Sequence, residues 1–265
     1  MDTRLVDTGG AMIACREDGA RAGAPVLFLS EIATDMRVWD SVLPHLPDGL
    51  RLLRMDIRGH GASSAPPGPY SMGALVRDAE RVMETCGMAD AVVVGCGLGG
   101  MIAQGLAVKR LDLVRGLVLV NTAAKMGQPA SWHTRADALR HEGVEAFHRD
   151  PLPRWARAPV IGLREMVSAQ PAHGVAACCD AIAGTDFYTP VSGLRLPTLG
   201  LAGTDDAFTP PDLVRETAEL IPGAETRLLR RAGHVPMFDQ PEAMGHEIGA
   251  FLIRIGHCGA SVAQA

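Results

Sequence analysis

The sequence predicts an α/β fold, a mostly parallel, doubly wound sheet with an inserted helical cap. Three observations predict it. Strand-like and helix-like stretches alternate along most of the chain, a glycine-rich strand–turn–helix segment lies between them, and the alternation stops between about residues 123 and 189. Strands that alternate with helices are typical of a parallel sheet covered by helices on both faces.

Six strand-like runs define the predicted sheet. They are residues 25–30 (PVLFLS), 50–56 (LRLLRMD), 91–95 (AVVVG), 114–121 (VRGLVLVN), 197–203 (PTLGLAG) and 225–231 (ETRLLRR). Several are almost continuously apolar, as expected for strands buried on both faces. The helix-like stretches are residues 71–86, 98–110, 211–221 and 242–255, and the Pro210-Pro211 pair marks the start of the third.

The stretch that breaks the alternation is rich in His, Arg and Trp and contains no convincing strand. We therefore predict a core formed by residues 1–123 and 190–265, with residues 124–189 as the helical cap.

Composition narrows the class of protein. A chain of 265 residues that is 47% hydrophobic can bury a large core. The net charge of −5 comes from mixed signs, so we expect neither nucleic acid nor a membrane as partner. The N-terminal residues contain no apolar export signal and the six cysteines no C-x-x-C spacing, which favours a cytoplasmic protein with buried thiols. A homo-oligomer is compatible with the sequence, which does not define the oligomeric state.

Residues 91–100 (AVVVGCGLGG) have the form of a nucleophile elbow, G-x-S-x-G, in which a strand–turn–helix exposes a serine. The middle position is occupied by Gly97. Because the apex of this turn has a positive φ, glycine fits there without a Cβ clash. The fold is therefore expected to persist while the covalent route is lost. The neighbouring Cys96 is expected to be a small buried side chain.

The same glycines offer a second interpretation. Gly95, Gly97 and Gly100 match the dinucleotide fingerprint G-x-G-x-x-G, in which helix N-terminal amides bind a pyrophosphate. Two features count against it. The motif follows at least two earlier strands, and the next strand ends in Asn121 rather than in the acidic residue that binds a ribose. We therefore expect no cofactor, and no metal site is predicted.

An acid and a histidine follow the elbow at the ends of successive strands. Asp205 and Asp206 lie in the segment GTDDAFTPP, and His234 lies in RRAGHVPMFDQPEA. This is the chain order of nucleophile, acid and base in the hydrolase triad. Upstream, the loop DIRGHGAS contains Asp56 and His60, which we expect to shape the rim of the site.

On these residues the chain resembles α/β-hydrolases, and in particular the 3-oxoadipate enol-lactonases of the β-ketoadipate pathway of aromatic-compound catabolism. Besides the motifs above, the similarity extends to LSEIATDMRVWD, NTAAKMG and GVAACCDAI. The resemblance implies a carboxylic-ester hydrolase that acts on a small carboxylated lactone or ester. It also implies that Asp206 is the triad acid, that His234 is the base, and that the amides of Ile32 and Leu98 form the oxyanion hole.

A carboxylated substrate would need a cation in the pocket. The candidate substrate-binding residues are Trp132, Arg135, Lys125 and Arg58.

The chain departs from the family pattern twice, at Gly97 and at Glu31. Glu31 precedes Ile32, at a position where relatives usually carry a small residue. If its carboxylate points inward, it opposes negative charge on a substrate and is a candidate acid or base; if it points to solvent, it does neither. The sequence leaves both orientations open.

Three functions fit these observations. The first is an enol-lactonase-like hydrolase that is weakened at Gly97 or uses water activated directly by His234. The second is a non-hydrolytic acid–base enzyme (lyase, isomerase, decarboxylase or cyclase) with His234 as the base and Glu31 as a candidate acid. The third is a catalytically silent small-molecule binder. If the rest of the triad is intact, the single substitution Gly97→Ser is expected to raise hydrolysis by at least about 100-fold.

Overall fold

The structure is a computed structural model that describes residues 3–149, 155 and 161–259. In these residues the strands form one mixed sheet in the order β1-β2-β4-β3-β5-β6-β7-β8. Their bounds are β1 Arg4–Asp7, β2 Met12–Gly19, β3 Ala24–Leu29, β4 Leu50–Met55, β5 Ala91–Cys96, β6 Val114–Val120, β7 Thr198–Gly203 and β8 Glu225–Leu229. Strand β2 is antiparallel to β1 and β4, and the pairings from β4 to β8 are parallel.

Helices cover the sheet and fill the connection between β6 and β7. Their bounds are α1 Met72–Thr85, α2 Leu98–Lys109, α3 Pro129–Glu142, α4 Glu145–Arg149, α5 Ile161–Ser168, α6 Ala172–Ala183, α7 Tyr188–Ser192, α8 Pro211–Glu219, α9 Pro236–Asp239 and α10 Pro241–Arg254. Two short 3-10 turns, Met36–Trp39 and Leu43–His45, follow β3. Where it is described, the segment between β6 and β7 is helical and contains no strand. The exact limits of a cap at residues 124 and 189 remain a prediction.

The predicted fold class is confirmed, and the six predicted strands correspond to β3 to β8. The hairpin of β1 and β2 was not predicted. Its second strand carries the charged run Arg16, Glu17 and Asp18, which hides an alternating pattern. Pairing with β4 stabilises this strand, and Asp18 forms an ion pair with the buried Arg54, with Oδ2 2.6 Å from Nη2. A tertiary contact therefore overrides the weak local preference.

The elbow lies in the interior of the molecule. All six residues of β5 are buried, and burial of each of Val92, Val93 and Val94 contributes about 1.5–3 kcal/mol. Helix α2 packs against β5 on one side and against α1 and α7 on the other. This explains why α2 is apolar around nearly its whole circumference. Within the described residues, no helix combines the length and the apolar character that crossing a membrane requires.

Parallel strands place their carboxyl ends at one edge of the sheet, where α/β proteins bind ligands. Four of these ends lead directly into predicted site residues. Strand β3 leads to Glu31, β5 to Gly97, β7 to Asp206 and β8 to His234. The strand order therefore brings together residues that are far apart in the sequence.

Candidate active site

The turn between β5 and α2 has the backbone geometry expected of an elbow. Gly97 has φ +50° and ψ −112° and is the N-cap of α2. Its carbonyl oxygen accepts a hydrogen bond from Thr122 Oγ1 at 2.7 Å. The backbone of Gly95 passes so close to that of Gly99 that a Cβ on Gly95 would overlap the Gly99 carbonyl. The predicted positive φ at the apex is thus present, and the glycines around it permit a tight turn.

Glu31 points inward and is completely buried. Its Oε1 accepts a hydrogen bond from the Ile32 amide at 2.8 Å, and its Oε2 accepts one from the Leu98 amide at 3.1 Å. Leu98 is the first residue of α2, so the helix dipole also favours negative charge there. The two amides expected to form the oxyanion hole therefore bind one carboxylate of the protein itself.

The Glu31 carboxylate occupies the space that a nucleophile side chain would need. A Cβ added to Gly97 would lie closer to Glu31 Oε2 than the length of a covalent C–O bond. A serine at this position and the present conformation of Glu31 exclude each other. The expected gain of hydrolysis in Gly97→Ser stays a prediction, and the clash weighs against it, because the Glu31 carboxylate has to move before the new side chain fits.

His234 lies between two carboxylates. Its Nδ1 is 2.9 Å from Asp206 Oδ2, and its Nε2 is 3.3 Å from Glu31 Oε2. The second contact is an ion pair without the alignment of a hydrogen bond. Thr209 Oγ1 donates to Asp206 at 2.6 Å and lies 3.1 Å from His234 Nδ1. The exposed Asp205 instead accepts a hydrogen bond from the neighbouring threonine, so Asp206 is the carboxylate beside the imidazole.

The pKa values of Glu31 and His234 are both raised in this cluster. Burial raises the pKa of Glu31, although His234 and the two amides oppose this shift. Burial alone would lower the pKa of His234, but the carboxylates of Asp206 and Glu31 raise it to about 10. The pKa of Asp206 is lowered, because the interactions with His234 and Thr209 outweigh burial. Both Glu31 and His234 thus bind protons more tightly than they would in water.

Aromatic side chains cover the imidazole. The ring centroids of Phe208 and Trp155 lie 4.9 Å and 5.2 Å from that of His234. Trp132 packs edge-on against Phe208 at 5.8 Å. His234 and Glu31 have no exposed surface. In such a dry environment, charge–charge interactions are stronger than at the protein surface.

Asn121 supports the histidine loop, a role that the sequence did not reveal. Its Nδ2 donates hydrogen bonds to the carbonyl oxygens of Gly233 and His234 at 2.8 Å and 2.9 Å. Its Oδ1 accepts one from the Gly203 amide at 2.9 Å, and its φ is +41°. The sequence signal that could have indicated this role is the polar Asn121 directly after the buried strand β6.

His60 supports the loop on the opposite side of the site. Its Nε2 accepts a hydrogen bond from the Ala33 amide at 2.9 Å, and Ala33 has a φ of +57°. Burial lowers the pKa of His60 to about 4, so the ring is neutral near pH 7. Asp56 accepts hydrogen bonds from the amides of Met36 and Ala62 at 2.7 Å and 2.8 Å. Both residues make the structural contacts expected of rim residues.

Two of the predicted substrate cations are already paired with acids of the protein. Arg58 makes two hydrogen bonds to Asp78, at 2.5 Å and 2.6 Å, and is buried against α1. Lys125 Nζ lies 3.1 Å from Asp186. Both charges thus have a partner within the chain, which a substrate carboxylate would have to displace; their role in substrate binding stays a prediction.

The other two candidates lie in the aromatic cluster. The Arg135 guanidinium lies 4.7 Å from the centre of the Trp132 ring and 5.7 Å from that of Phe208. Trp132 is buried and donates its Nε1 hydrogen to the Met126 carbonyl. Through Phe208, this pair is connected to His234.

Cys96 has no access to the reacting position. It is fully buried, its Sγ lies 3.6 Å from the His234 carbonyl oxygen, and burial raises the pKa of its thiol well above the usual range. The Leu98 amide that a pyrophosphate would need is bound to Glu31. Within the described part of the chain, no group of three or more His, Cys, Asp or Glu side chains is placed to hold a metal ion.

The sheet, the elbow turn, and the acid and histidine that follow it define a protein of the α/β-hydrolase class. The chain belongs to the alpha/beta hydrolase family, which matches residues 23–246.

The comparisons with individual proteins agree with this class. The chain is 27% identical over 237 residues to 3-oxoadipate enol-lactonase 2 of Acinetobacter baylyi, covering 86% of this chain and 88% of the relative. It is similar to the crystal structure of the enol-lactonase from Burkholderia xenovorans LB400, with a TM-score of 0.89, 32% identity and coverage of 95% and 99%. A malate-bound thermophilic esterase from Thermogutta terrifontis gives a TM-score of 0.88 at 28% identity, with coverage of 96% and 99%.

Proposed function

We propose that this chain is an acid–base enzyme of the alpha/beta hydrolase family, in which Glu31 and His234 move protons on a small carbonyl compound. One observation carries the proposal. The Glu31 carboxylate lies where the family's nucleophile would be, with Oε2 3.3 Å from His234 Nε2. A serine-dependent acyl transfer has no nucleophile in this arrangement, whereas a proton transfer needs only the two groups that are present.

The proposed reaction begins with a proton on the carbon next to a substrate carbonyl. Glu31 removes this proton, and the imidazolium of His234 stabilises the enolate oxygen that forms. Burial raises the pKa of Glu31, which suits a general base because the proton it accepts is then retained. Asp206 fixes the imidazole through Nδ1 and keeps it protonated. Return of the proton to a different atom of the substrate completes an isomerisation or prepares an elimination or a decarboxylation.

We expect the substrate to be a small lactone, ester or keto acid with a carboxylate. Enol-lactonases and a malate-bound esterase among the similar proteins support this class. Among the predicted cations, Arg135 is the one that lies in the aromatic cluster beside His234. We propose that Arg135 and Trp132 orient the carboxylate end of the substrate.

A hydrolase without a serine is the second candidate. The 32% identity to an enol-lactonase over nearly the whole chain favours it. In this case His234 would activate a water molecule directly, and Glu31 would have to leave the amides of Ile32 and Leu98 before a substrate oxyanion could bind there. Hydrolysis would therefore be slow, and it would become faster when Glu31 is removed.

Proton exchange distinguishes these candidates. The protein is incubated in D2O with a panel of small keto acids, keto lactones and activated esters, and NMR follows both deuterium incorporation and hydrolysis. We expect exchange at a carbon next to a carbonyl, and a loss of about 100-fold or more in Glu31→Gln and in His234→Asn. Glu219→Gln, at an exposed position on α8, is the matched control and should behave as the wild type.

Two results would contradict the proposal. Hydrolysis that is unchanged or faster in Glu31→Gln, without any carbon–deuterium exchange, would favour the hydrolase. Binding of a panel member without exchange or hydrolysis would favour a silent binder.

A further inference from the structure

Gly97 and Glu31 share one volume beside His234. A Cβ at Gly97 would overlap both Oε2 and Cδ of Glu31. The overlap is too large for a small shift to relieve, and a larger movement of the carboxylate breaks its hydrogen bonds to the Ile32 and Leu98 amides. A side chain at position 97 therefore has to displace the whole carboxylate from both amides.

The other parts of a serine hydrolase surround this volume. The amides of Ile32 and Leu98 each donate to one oxygen of the same carboxylate, so two backbone donors of the kind that bind an oxyanion lie side by side here. The imidazole of His234 faces the oxygen bound by Leu98 through Nε2 and is held by Asp206 through Nδ1. The Glu31 carboxylate thus fills both the nucleophile position and the oxyanion hole.

We propose that Glu31 and Gly97 form a mutually exclusive pair, and that the chain retains a latent ester and lactone hydrolase that only a joint exchange releases. Removal of Glu31 frees the two amides but supplies no nucleophile. A serine at position 97 supplies a nucleophile, but the glutamate still competes for the amides and for His234. Only Glu31→Ala combined with Gly97→Ser provides both. The inference rests on the geometry of the cluster and not on the proton-transfer activity proposed above.

The chemistry of the double variant is balanced by groups already present. Removal of the Glu31 carboxylate lowers the pKa of His234, so that Nε2 can release its proton and act as a base. The introduced hydroxyl then attacks the substrate carbonyl carbon, its proton passes to the unprotonated Nε2, and the new oxyanion is bound by the two amides. The bond to the leaving oxygen then breaks, and that oxygen takes the proton from His234. Water repeats the sequence on the acyl-enzyme and returns the proton to the hydroxyl.

A set of four proteins tests the inference: wild type, Glu31→Ala, Gly97→Ser and the double variant. Hydrolysis of p-nitrophenyl acetate is measured, and a fluorophosphonate probe reports a reactive serine by mass spectrometry. We expect hydrolysis at least about 100-fold above wild type and stoichiometric labelling of the peptide containing position 97 in the double variant only. Glu31→Ala with Gly97→Ala is the matched control without a hydroxyl, and it should show neither.

Thermal unfolding of the alanine variants gives an independent readout. Gly97→Ala should lower the Tm in the wild-type background, because it adds the clash with Glu31 to the strain of a positive φ. In the Glu31→Ala background the same substitution should cost less, since only the strain remains.

Two outcomes would overturn the inference. One is a Gly97→Ser single variant that is labelled and hydrolyses as fast as the double variant. The other is a folded double variant, with a normal Tm, that remains unlabelled. Neither outcome depends on deuterium exchange by the wild type, so this inference and the proposed function can fail separately.

Discussion

The substitution Glu31→Gln tests the electrostatic argument at the centre of the site. It keeps the size of the side chain and leaves one carbonyl acceptor for the two amides of Ile32 and Leu98, but it removes one of the two carboxylates next to His234. Because that carboxylate helps to raise the pKa of His234 to about 10, its removal must lower this pKa.

The separation of the two groups sets the size of the effect. Two unit charges at 3.3 Å interact by about 5 kcal/mol when the effective dielectric constant is about 20. This corresponds to nearly four pKa units as an upper bound. The glutamine oxygen still interacts with the imidazolium, and Asp206 remains in place. We therefore expect the pKa of His234 to fall by about two units.

NMR titration of the imidazole Cε1–H signals measures this change. The chain has nine histidines, so the His234 signal is assigned by its disappearance in His234→Asn. Glu219→Gln serves as the control and should leave the titration unchanged, because Glu219 is exposed on α8. A His234 pKa that stays within about half a unit of the wild-type value would refute the reasoning, since it would mean that Glu31 carries no charge beside the ring.

Three further predictions concern the surroundings of the site. His60 has a folded-state pKa of about 4, below its ordinary value of 6.5, so it stabilises the fold above pH 6.5 and this contribution is lost as the pH falls through 4. Urea unfolding should lose about 3 kcal/mol between these limits, and an equally steep loss in His60→Gln would contradict this assignment. Gly174→Ala would place a Cβ 2.6 Å from Gly59 Cα, in the loop after β4, and should lower the free energy of unfolding by about 1–3 kcal/mol. The control Gly73→Ala, whose Cβ would have its nearest neighbour at 4.0 Å, should not lower it. Equal effects of the two substitutions would show that α6 does not pack tightly against this loop. Iodoacetamide should leave Cys96 unmodified in the native protein, because its thiol is buried and its pKa is raised; mass spectrometry that finds it alkylated before global unfolding would disprove this.

Much of the fold and part of the site could be read from local patterns. The runs that form β3 to β8 are apolar enough to be recognised, and the glycines between β5 and α2 indicate the tight turn of the elbow. Chain order pointed to His234 and to either Asp205 or Asp206, and the resemblance to α/β-hydrolases selected Asp206. The antiparallel hairpin of β1 and β2 was not recognisable, because its charged second strand depends on β4 for its pairing.

The substrate cations show why charge alone is a poor guide to a binding site. Arg58, Lys125 and Arg135 look equivalent in the sequence. Their partners are separated from them along the chain, Asp78 by 20 residues in the case of Arg58 and Asp186 by 61 in the case of Lys125. Only the folded chain shows that these two charges are matched and that Arg135 packs against Trp132 and Phe208.

The sequence by itself determined the fold class, the positions of the acid and the histidine, and the absence of a serine at the elbow, because each depends on short patterns and on their order. The direction of Glu31 was decided only by the tertiary structure. Its carboxylate is held by the amide of Leu98, 67 residues further along the chain, and it fits only because Gly97 has no side chain. No local preference of residues 30–32 encodes that contact, since it exists only when β3 and β5 lie side by side in the sheet.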